Sequence, residues 1–267
     1  MLFKKNFIQK TINGVQMGNG SISFQNVKLN VHSFYLDGVL IDTGAKSLES
    51  EFIAFFKKFK PQQVVITHYH EDHTGCADYF QKHQVPLLMD NKMIEYCKNK
   101  PDYPFYRKLY WGRRRPFQAG SIGDSFSTAN ALWHVIKTPG HSQDHITFLN
   151  SETGQLFTGD LYCQEKTKVT LKEESIPEII DSLRKVLTHD FNDVFCSHAG
   201  FLNNGRSALK SKMEYLLDLQ GNIIKLYDEG KTPKQINEIL FPKKYPITRF
   251  SLGEWDSIHI VNSILQK

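Results

Sequence analysis

Short runs of alternating apolar and polar residues fill the first part of the chain and predict β-strands. Turn signals separate these runs, and the pair Asp37-Gly38 is typical of a tight hairpin. The predicted strands cover residues 15–17, 21–24, 27–31, 33–36 and 39–41. Further strands, with near-continuous apolar runs, are predicted at 64–66, 85–89, 132–136, 146–149, 155–158 and 193–196.

Helical periodicity appears between and after these strands. A helix is predicted to begin at Ser47 as its N-cap, with Glu49 and Glu51 in the favourable first turn and Phe52 facing inward. Residues 75–83, 90–98 and 175–187 are further predicted helices. The alternation of short strands and helices indicates a mixed α and β fold.

Residues 99–122 differ from the rest because prolines and glycines break any regular element that the pattern would otherwise predict. Six aromatic residues argue against disorder, so we expect an insertion loop that either walls a pocket or covers the sheet. The run Arg113-Arg114-Arg115 is interpreted as a solvated loop face, with an anionic substrate tail or RNA phosphate as the alternative.

The last part of the chain is predicted to be helical. An apolar stripe covers 209–227, Thr232-Pro233 with Gln235 predicts a capping box, and 255–265 predicts a final helix. We therefore predict a catalytic domain over 1–205 and a helical extension over 206–267 that packs on it.

Composition restricts the classes of protein that fit. The 267 residues carry a net charge of +5, which permits an anionic small-molecule substrate, but the scattered basic residues do not favour nucleic acid. The four cysteines form no CxxC pair, which favours reduced thiols and a cytoplasmic location. No signal-peptide pattern or apolar run of roughly 18 residues is present, so no membrane partner is expected. A homodimer is compatible with the sequence.

Metal-capable side chains follow four predicted strands, each beside a glycine or a proline. The densest group, in Thr67-His68-Tyr69-His70-Glu71-Asp72-His73-Thr74-Gly75, directly follows the apolar run 64–66. Strand ends at one sheet edge converge, and imidazole and carboxylate ligands suit zinc, manganese or iron. Counting ligands predicts one metal on His68, His70 and His141, a second on Asp72, His73 and His198, and Asp160 bridging the two. Other histidines (His83, His134, His145, His189 and His259) are predicted to be structural.

In this order and with these gaps, His-x-His-x-Asp-His, Thr-Pro-Gly-His, Thr-Gly-Asp and Ser-His resemble the metallo-β-lactamase superfamily over about residues 12–200. The resemblance implies an αββα sandwich of two mixed sheets, and Asp42 matches the buried aspartate that supports the family's metal ligands. Antibiotic-cleaving members typically have a cysteine at the position of Asp160 and are secreted; neither condition is met here, which disfavours β-lactam hydrolysis. Flavo-diiron members have a glutamate at the position of His70. With these two groups set aside, the ligand motifs resemble those of the glyoxalase II-like and lactonase-like hydrolases.

The predicted function is a binuclear hydrolase that uses two divalent ions, zinc first, with manganese or iron as alternatives. A hydroxide that bridges the metals would attack a small acyl ester, thioester or lactone, with Asp72 orienting it and taking its proton. Three alternatives remain open: phosphodiesterase or ribonuclease activity at the same metals, a persulfide-type dioxygenase with a single iron, and a binding protein with a vestigial site.

Overall fold

The predicted strands join into two mixed β-sheets that pack face to face, with helices on both outer faces. This αββα arrangement is seen in a computed structural model, which describes residues 3–24 and 27–265. The first sheet has the order β1-β2-β3-β4-β5-β6-β7 and the second the order β14-β13-β11-β10-β9-β8, while β12 pairs with β15. The strands are β1 (Lys4–Ile12), β2 (Val15–Phe24), β3 (Val27–Leu36), β4 (Val39–Ile41), β5 (Gln63–Val65), β6 (Leu87–Met89), β7 (Gly120–Ser121), β8 (Ser125–Ser127), β9 (Leu132–Lys137), β10 (Ile146–Asn150), β11 (Gln155–Phe157), β12 (Thr170–Leu171), β13 (Val194–Cys196), β14 (Gly200–Leu202) and β15 (Trp255–Asp256).

Helices lie between the strands and form the C-terminal part of the chain. They are α1 (Glu49–Phe59), α2 (Glu71–Thr74), α3 (Ala77–Lys82), α4 (Ile94–Cys97), α5 (Phe105–Trp111), α6 (Ile176–Leu187), α7 (Gly205–Asp228), α8 (Pro233–Leu240), α9 (Pro246–Phe250) and α10 (Ile258–Leu265). Within the described ranges, none of these helices has the length and apolar character needed to cross a membrane.

Three layers of apolar side chains hold the sandwich together. Aromatic residues from both sheets fill the space between them, and Phe157 stacks on Phe195 with ring centroids 5.1 Å apart. The second layer joins the outer face of the first sheet to α1 and α3. The third joins the outer face of the second sheet to α6, α7, α8 and α10. The C-terminal helices therefore share a core with the second sheet.

Glycines in β2 allow α1 to lie close to the first sheet. A Cβ atom at Gly20 would lie 2.7 Å from the Leu48 side chain and 2.8 Å from the Phe52 ring, and one at Gly18 would lie 2.9 Å from the Phe7 ring. These separations are shorter than van der Waals contact, so larger residues here would push the helix away. The outer face of β2 at Gly18 and Gly20 is thus used for packing.

The predicted turn at residues 18–20 is wrong for the same reason. Gly18 and Gly20 lie inside a single ten-residue strand, so the predicted strands 15–17 and 21–24 are one element. The runs 27–31 and 33–36 likewise form one strand, β3. Strand β1 was not predicted, because its sequence is mostly polar and it pairs only with β2 at the sheet edge.

Ser47 is not the N-cap of α1. It lies in a short 3₁₀ turn, Lys46–Leu48, and its hydroxyl donates to the carbonyl oxygen of Tyr110 at 2.6 Å. Glu49 and Glu51 do occupy the first turn of α1, as predicted. The hydroxyl therefore joins this turn to α5, a contact that local sequence patterns could not reveal.

The expectation that residues 99–122 contain no regular element is also wrong. Pro104 precedes the first turn of α5, where the missing N–H costs nothing, and Gly112 ends the helix with a positive φ. At the other end of the chain, Trp255 lies in β15, and the last helix begins only at Ile258. The capping box of Thr232 and Gln235 is present at the start of α8 as predicted.

Asp78 on α3 joins three segments around the first sheet. Its carboxylate accepts hydrogen bonds from Lys46 (2.7 Å), Lys82 (3.0 Å) and Arg115 (3.2 Å). Burial alone would raise the pKa of Asp78, but the hydrogen bonds from Lys46 and Lys82 outweigh it and hold the pKa below its ordinary value. The ionised carboxylate is therefore the form that stabilises the fold.

We expect Asp78→Asn to lower the free energy of unfolding of the metal-free protein by about 1–3 kcal/mol at pH 7. Because the pKa is lower in the folded state, this contribution is present above the unfolded pKa and is lost as the pH falls below about 4 towards the folded value. Urea denaturation of both proteins at about pH 7 and about pH 3.5 measures the difference, which should shrink at the lower pH. An equal difference at both pH values would contradict the ion-pair role.

Candidate metal centre

The histidine loop leaves the first sheet directly after β5. Residues 66–70 form an irregular segment, and His70 precedes the short helix α2, which carries Asp72 and His73. The hydroxyl of Thr74 donates to the carbonyl oxygen of His70 at 2.8 Å, and the N–H and hydroxyl of Thr43 donate to that of His73. These hydrogen bonds hold the loop in one conformation against the end of β4.

Gly75 lets this loop lie against the backbone that follows β4. A Cβ atom at Gly75 would lie 2.3 Å from the backbone nitrogen of Lys46 and 2.5 Å from the carbonyl oxygen of Gly44. These neighbours are backbone atoms, so they cannot move away as a flexible side chain can. The glycine is needed for close approach, and the loop position depends on it.

Three histidine nitrogens face one another at the end of the first sheet. His70 Nδ1 lies 3.0 Å from His68 Nε2 and 3.1 Å from His141 Nε2. The first two residues come from the loop after β5, and His141 comes from the turn after β9. All three are buried, and their nitrogens lie within 4.8 Å of one another, a spacing that can hold one metal ion.

A second group lies beside the first. Asp72 Oδ2 is 3.6 Å from both His73 Nε2 and His198 Nε2, and the three ligand atoms again lie within 4.8 Å of one another. His198 reaches this group from the loop after β13, and its Nδ1 donates to the carbonyl oxygen of Asn30 at 2.5 Å. That hydrogen bond leaves Nε2 facing the centre.

Asp160 lies between the two groups. Its carboxylate oxygens are 2.9 Å from His198 Nε2, 3.3 Å from His141 Nε2, 3.5 Å from His73 Nε2 and 4.0 Å from His68 Nε2. All seven residues predicted to be ligands therefore meet in one place, and Asp160 contacts members of both groups.

Asp42 holds the metal ligands in place through hydrogen bonds, which is the role that the family resemblance implies. It lies in a left-handed conformation (φ 59°) just after β4, is fully buried, and accepts from the N–H and hydroxyl of Thr67, both at 2.8 Å. It also accepts from His73 Nδ1 at 2.7 Å. This hydrogen bond fixes the tautomer of His73 and leaves its Nε2 free for a metal.

Burial and neighbouring charges shift the pKa values in the centre. Burial lowers the pKa of His68 well below its ordinary value, and His73 and His70 lower it further, so this imidazole is neutral and can act as a ligand. Burial alone would raise the pKa of Asp160, but His198 and His73 hold it well below its ordinary value. Neutral imidazole and ionised carboxylate are the forms that bind metals.

Two glutamates that sequence analysis did not identify contact the outer nitrogens of the first group. Glu173 accepts from His70 Nε2 at 2.9 Å and from the Tyr69 hydroxyl at 2.8 Å, and Glu174 Oε2 lies 3.3 Å from His141 Nδ1. Carboxylates in this position orient histidine ligands. The only sequence signal was a pair of acids before a helix, which equally fits a favourable helix start.

Cys163 also comes near the centre, within reach of Asp160 and His198. Its thiol donates to the carbonyl oxygen of Asp160 at 3.2 Å. A hydrogen bond with Cys196 and burial raise its pKa well above the ordinary value, so the thiol stays protonated. Because a metal binds the thiolate, Cys163 is the weaker candidate ligand.

The predicted structural histidines lie outside these groups in the described part of the chain. His145 is buried directly behind the centre, where its Nε2 accepts from the N–H of Asp160 at 3.0 Å. His83 and His259 bond to the backbone carbonyl oxygens of Tyr79 and Gly253.

The centre opens into a cleft of about 490 Å³, named here the apolar cleft. His70, Asp72, His141, Asp160 and His198 lie at its base, and its walls come from residues 27–30, 106–111, 163–179 and 245–255. Aromatic residues of the 99–122 segment therefore wall a pocket, which was one of the two expectations. The C-terminal segment forms part of the same wall.

Arg107 ties this wall to the metal loop. Its guanidinium donates two hydrogen bonds of 2.7 Å to the buried carboxylate of Glu71, between His70 and Asp72, and a third of 3.3 Å to Glu254. Glu254 also accepts from the hydroxyl of Tyr106. One arginine thus connects the histidine loop, α5 and the C-terminal segment.

The Arg113–Arg115 run is not simply a solvated loop face. Arg114 is buried and donates to the carbonyl oxygens of Cys97 and Arg115, while Arg115 pairs with Asp78. Only Arg113 is exposed without such a partner among the described residues. Arg114 is therefore structural, whereas Arg113 and Arg115 are exposed, as expected for a solvated loop face.

Comparisons with known proteins agree with this geometry. The family model of the metallo-beta-lactamase superfamily matches residues 29–198. The chain is 26% identical over 200 residues to an atrochrysone carboxyl ACP thioesterase of Aspergillus fumigatus, covering 73% of this chain and 58% of that protein. It is also 26% identical over 197 residues to the Beta-lactamase-like protein 2 homolog of Caenorhabditis elegans, covering 72% and 62%. The chain thus spans less than two thirds of the length of these two relatives.

A solved metallo-beta-lactamase family protein from Thermus thermophilus superposes with a TM-score of 0.67 at 16% identity. The superposition covers 98% of this chain and 93% of that one. At this identity the likeness shows the fold.

We expect Gly75→Ala to lower the free energy of unfolding by about 1–3 kcal/mol and to weaken metal binding, because the added Cβ displaces the histidine loop. Thermal unfolding and titration of the metal-free protein with zinc measure the two effects. Gly221→Ala, in the middle of α7 with no atom near the added Cβ, is the matched control and should stabilise by about 0.5–1 kcal/mol. Unchanged zinc affinity in Gly75→Ala would contradict the close-approach argument.

Proposed function

Because the chain belongs to the metallo-beta-lactamase superfamily, we propose that it is a metal-dependent hydrolase with a binuclear centre. His68, His70 and His141 would hold one ion, Asp72, His73 and His198 would hold the other, and Asp160 would contribute to both. This proposal combines the family match with the convergence of seven ligand residues from four loops.

The observation that carries the proposal is the long spacing of the polar atoms at the middle of the cluster. His73 Nε2 and Asp160 Oδ1 are both buried and form no hydrogen bond of normal geometry among the described residues. They lie 3.5 Å apart, and Asp72 Oδ2 lies 3.6 Å from His73 Nε2. Contacts this long satisfy buried polar groups only in part. A metal ion coordinated by these atoms would satisfy them more fully.

Bound divalent ions supply Lewis acidity, since they polarise an acyl oxygen and lower the pKa of water towards neutrality. The residues of this chain position the reactants. Asp72 borders both the metal cluster and the apolar cleft, so its carboxylate can orient the attacking water and accept its proton. Asp42, Glu173 and Glu174 hold the rings of His73, His70 and His141, so that the other ring nitrogen of each of these three residues points inward.

The apolar cleft supports an acyl substrate with a hydrophobic group. Leu29, Tyr106, Trp111, Val169 and Ile247 line it and would exclude water from such a group. One relative is named as a thioesterase, which favours a thioester among the acyl ester, thioester and lactone classes. Asp160, at the position where antibiotic-cleaving members carry cysteine, makes β-lactam hydrolysis the weaker assignment.

We expect about two zinc or manganese ions per chain by elemental analysis of protein purified without added metal, and loss of hydrolysis on chelation. Asp160→Ala and His68→Ala should each lower the rate of hydrolysis of a neutral thioester by more than about 100-fold. Substituting a residue that only orients a metal ligand already lowers metal affinity or activity by about 10–100-fold. His83→Ala, outside the cluster, is the control and should retain activity.

Two results would overturn this assignment. One iron per chain without hydrolysis would favour an oxygen-dependent relative. Full activity in an Asp160→Ala variant of measured metal content would show that the bridging carboxylate is not required.

A further inference from the structure

The inner face of the first sheet changes from apolar to polar along β2 and β3. The paired residues Met17 and Phe34 point into the layer between the sheets. The next two pairs on the same face are polar: Asn19 with His32, and Ser21 with Asn30. The second sheet ends at its edge strand β14, so these polar pairs border a cleft.

This second cleft, named here the polar cleft, has a volume of about 490 Å³. Its floor is formed by β1, β2 and β3, and its wall by residues 198–203. Lys10 and Lys28 contribute the charges, and no Asp or Glu is among the described residues that line it. Neither lysine forms an ion pair in residues 3–24 and 27–265. The cleft therefore carries an uncompensated positive charge that favours an anionic ligand.

Exposed amide side chains add hydrogen-bonding groups to this cleft. Asn6 and Asn203 line it and are both exposed. Asn19 also lines it, but its side-chain oxygen is buried. The polar cleft thus offers two cations and two amides that can donate or accept.

The polar cleft and the apolar cleft are neighbours at His198. His198, Asn30 and Lys28 line both of them, and two hydrogen bonds join Asn30 to His198. A substrate whose reacting carbonyl lies at the metal cluster would extend one arm into the apolar cleft and the other past this hydrogen-bonded pair into the polar cleft. The two arms need different chemistry, because one cleft is lined mainly by apolar side chains, whereas the other combines five apolar residues with two lysines and several amides.

We propose that the polar cleft binds the leaving group of the substrate, a thiol whose chain carries amide and phosphate groups. Coenzyme A and the phosphopantetheine arm of an acyl carrier protein share this chemistry. The inference rests on the proposed hydrolase function. Water attacks the acyl carbon, the carbon–sulfur bond breaks, and the sulfur takes a proton, so the products are a carboxylate held by the apolar cleft and a thiol held by the polar cleft.

The test compares three thioesters of one medium-chain acyl group. Two carry phosphate, as acyl-coenzyme A and as the acyl carrier protein, and the third is the neutral N-acetylcysteamine thioester. The measured quantity is the ratio of kcat/KM for a phosphate-bearing substrate to kcat/KM for the neutral one. In Lys10→Glu this ratio should fall about 10–100-fold because KM for the phosphate-bearing substrate rises. The cause is repulsion between the new carboxylate and the phosphate. Lys234→Glu, exposed on α8 and outside both clefts, is the charge-matched control and should keep the wild-type ratio.

The outcomes separate the two proposals. If the metal-loaded wild type hydrolyses none of the three thioesters and no neutral aryl ester, the hydrolase assignment fails. If it hydrolyses neutral substrates but the ratio is unchanged in Lys10→Glu, the polar cleft does not bind the leaving group. If the ratio falls for only one of the two phosphate-bearing thioesters, the polar cleft does bind the leaving group. That result also shows whether the leaving group is coenzyme A or the acyl carrier protein.

Discussion

The centre depends on one buried carboxylate. Asp42 is ionisable, fully enclosed and held at a positive φ, which is a costly state for a residue other than glycine. Its three short hydrogen bonds to Thr67 and His73 offset that cost. Because Asp42 follows β4 and Thr67 follows β5, the same contacts join two parallel strands and set the start of the histidine loop. The position of the metal ligands thus depends on the hydrogen bonds by which Asp42 joins these two strands.

Much of this arrangement could be predicted from sequence because it follows from strand ends. His68, His141, Asp160 and His198 each come just after a strand or its turn, and residues in such positions meet at a common sheet edge. The order and spacing of their motifs then gave the sandwich architecture through family resemblance. Apolar periodicity alone supported only a mixed fold, since short buried strands and helices share the same composition.

The features that escaped prediction depend on contacts between distant segments. Gly18 and Gly20 look like a turn, but they lie in a continuous strand and allow Phe55 and Phe52 to pack on it. Glu173 lies 103 positions from His70, and only the folded chain shows that they share a hydrogen bond. The polar strand β1 carries no apolar alternation, so its role as an edge strand and cleft floor becomes visible only through its pairing with β2.

The contact of Arg107 with Glu71 and Glu254 has an evolutionary consequence. The ligands come from the ends of the sheet strands, whereas α5 and the C-terminal segment supply part of the apolar wall and are joined to the ligand loop through one guanidinium. Substitutions in 106–111 or 245–255 that keep Arg107 and Glu254 can therefore reshape the cavity without altering the metal ligands. Paralogues could diversify in acyl preference by changing these two segments while the catalytic apparatus is inherited intact.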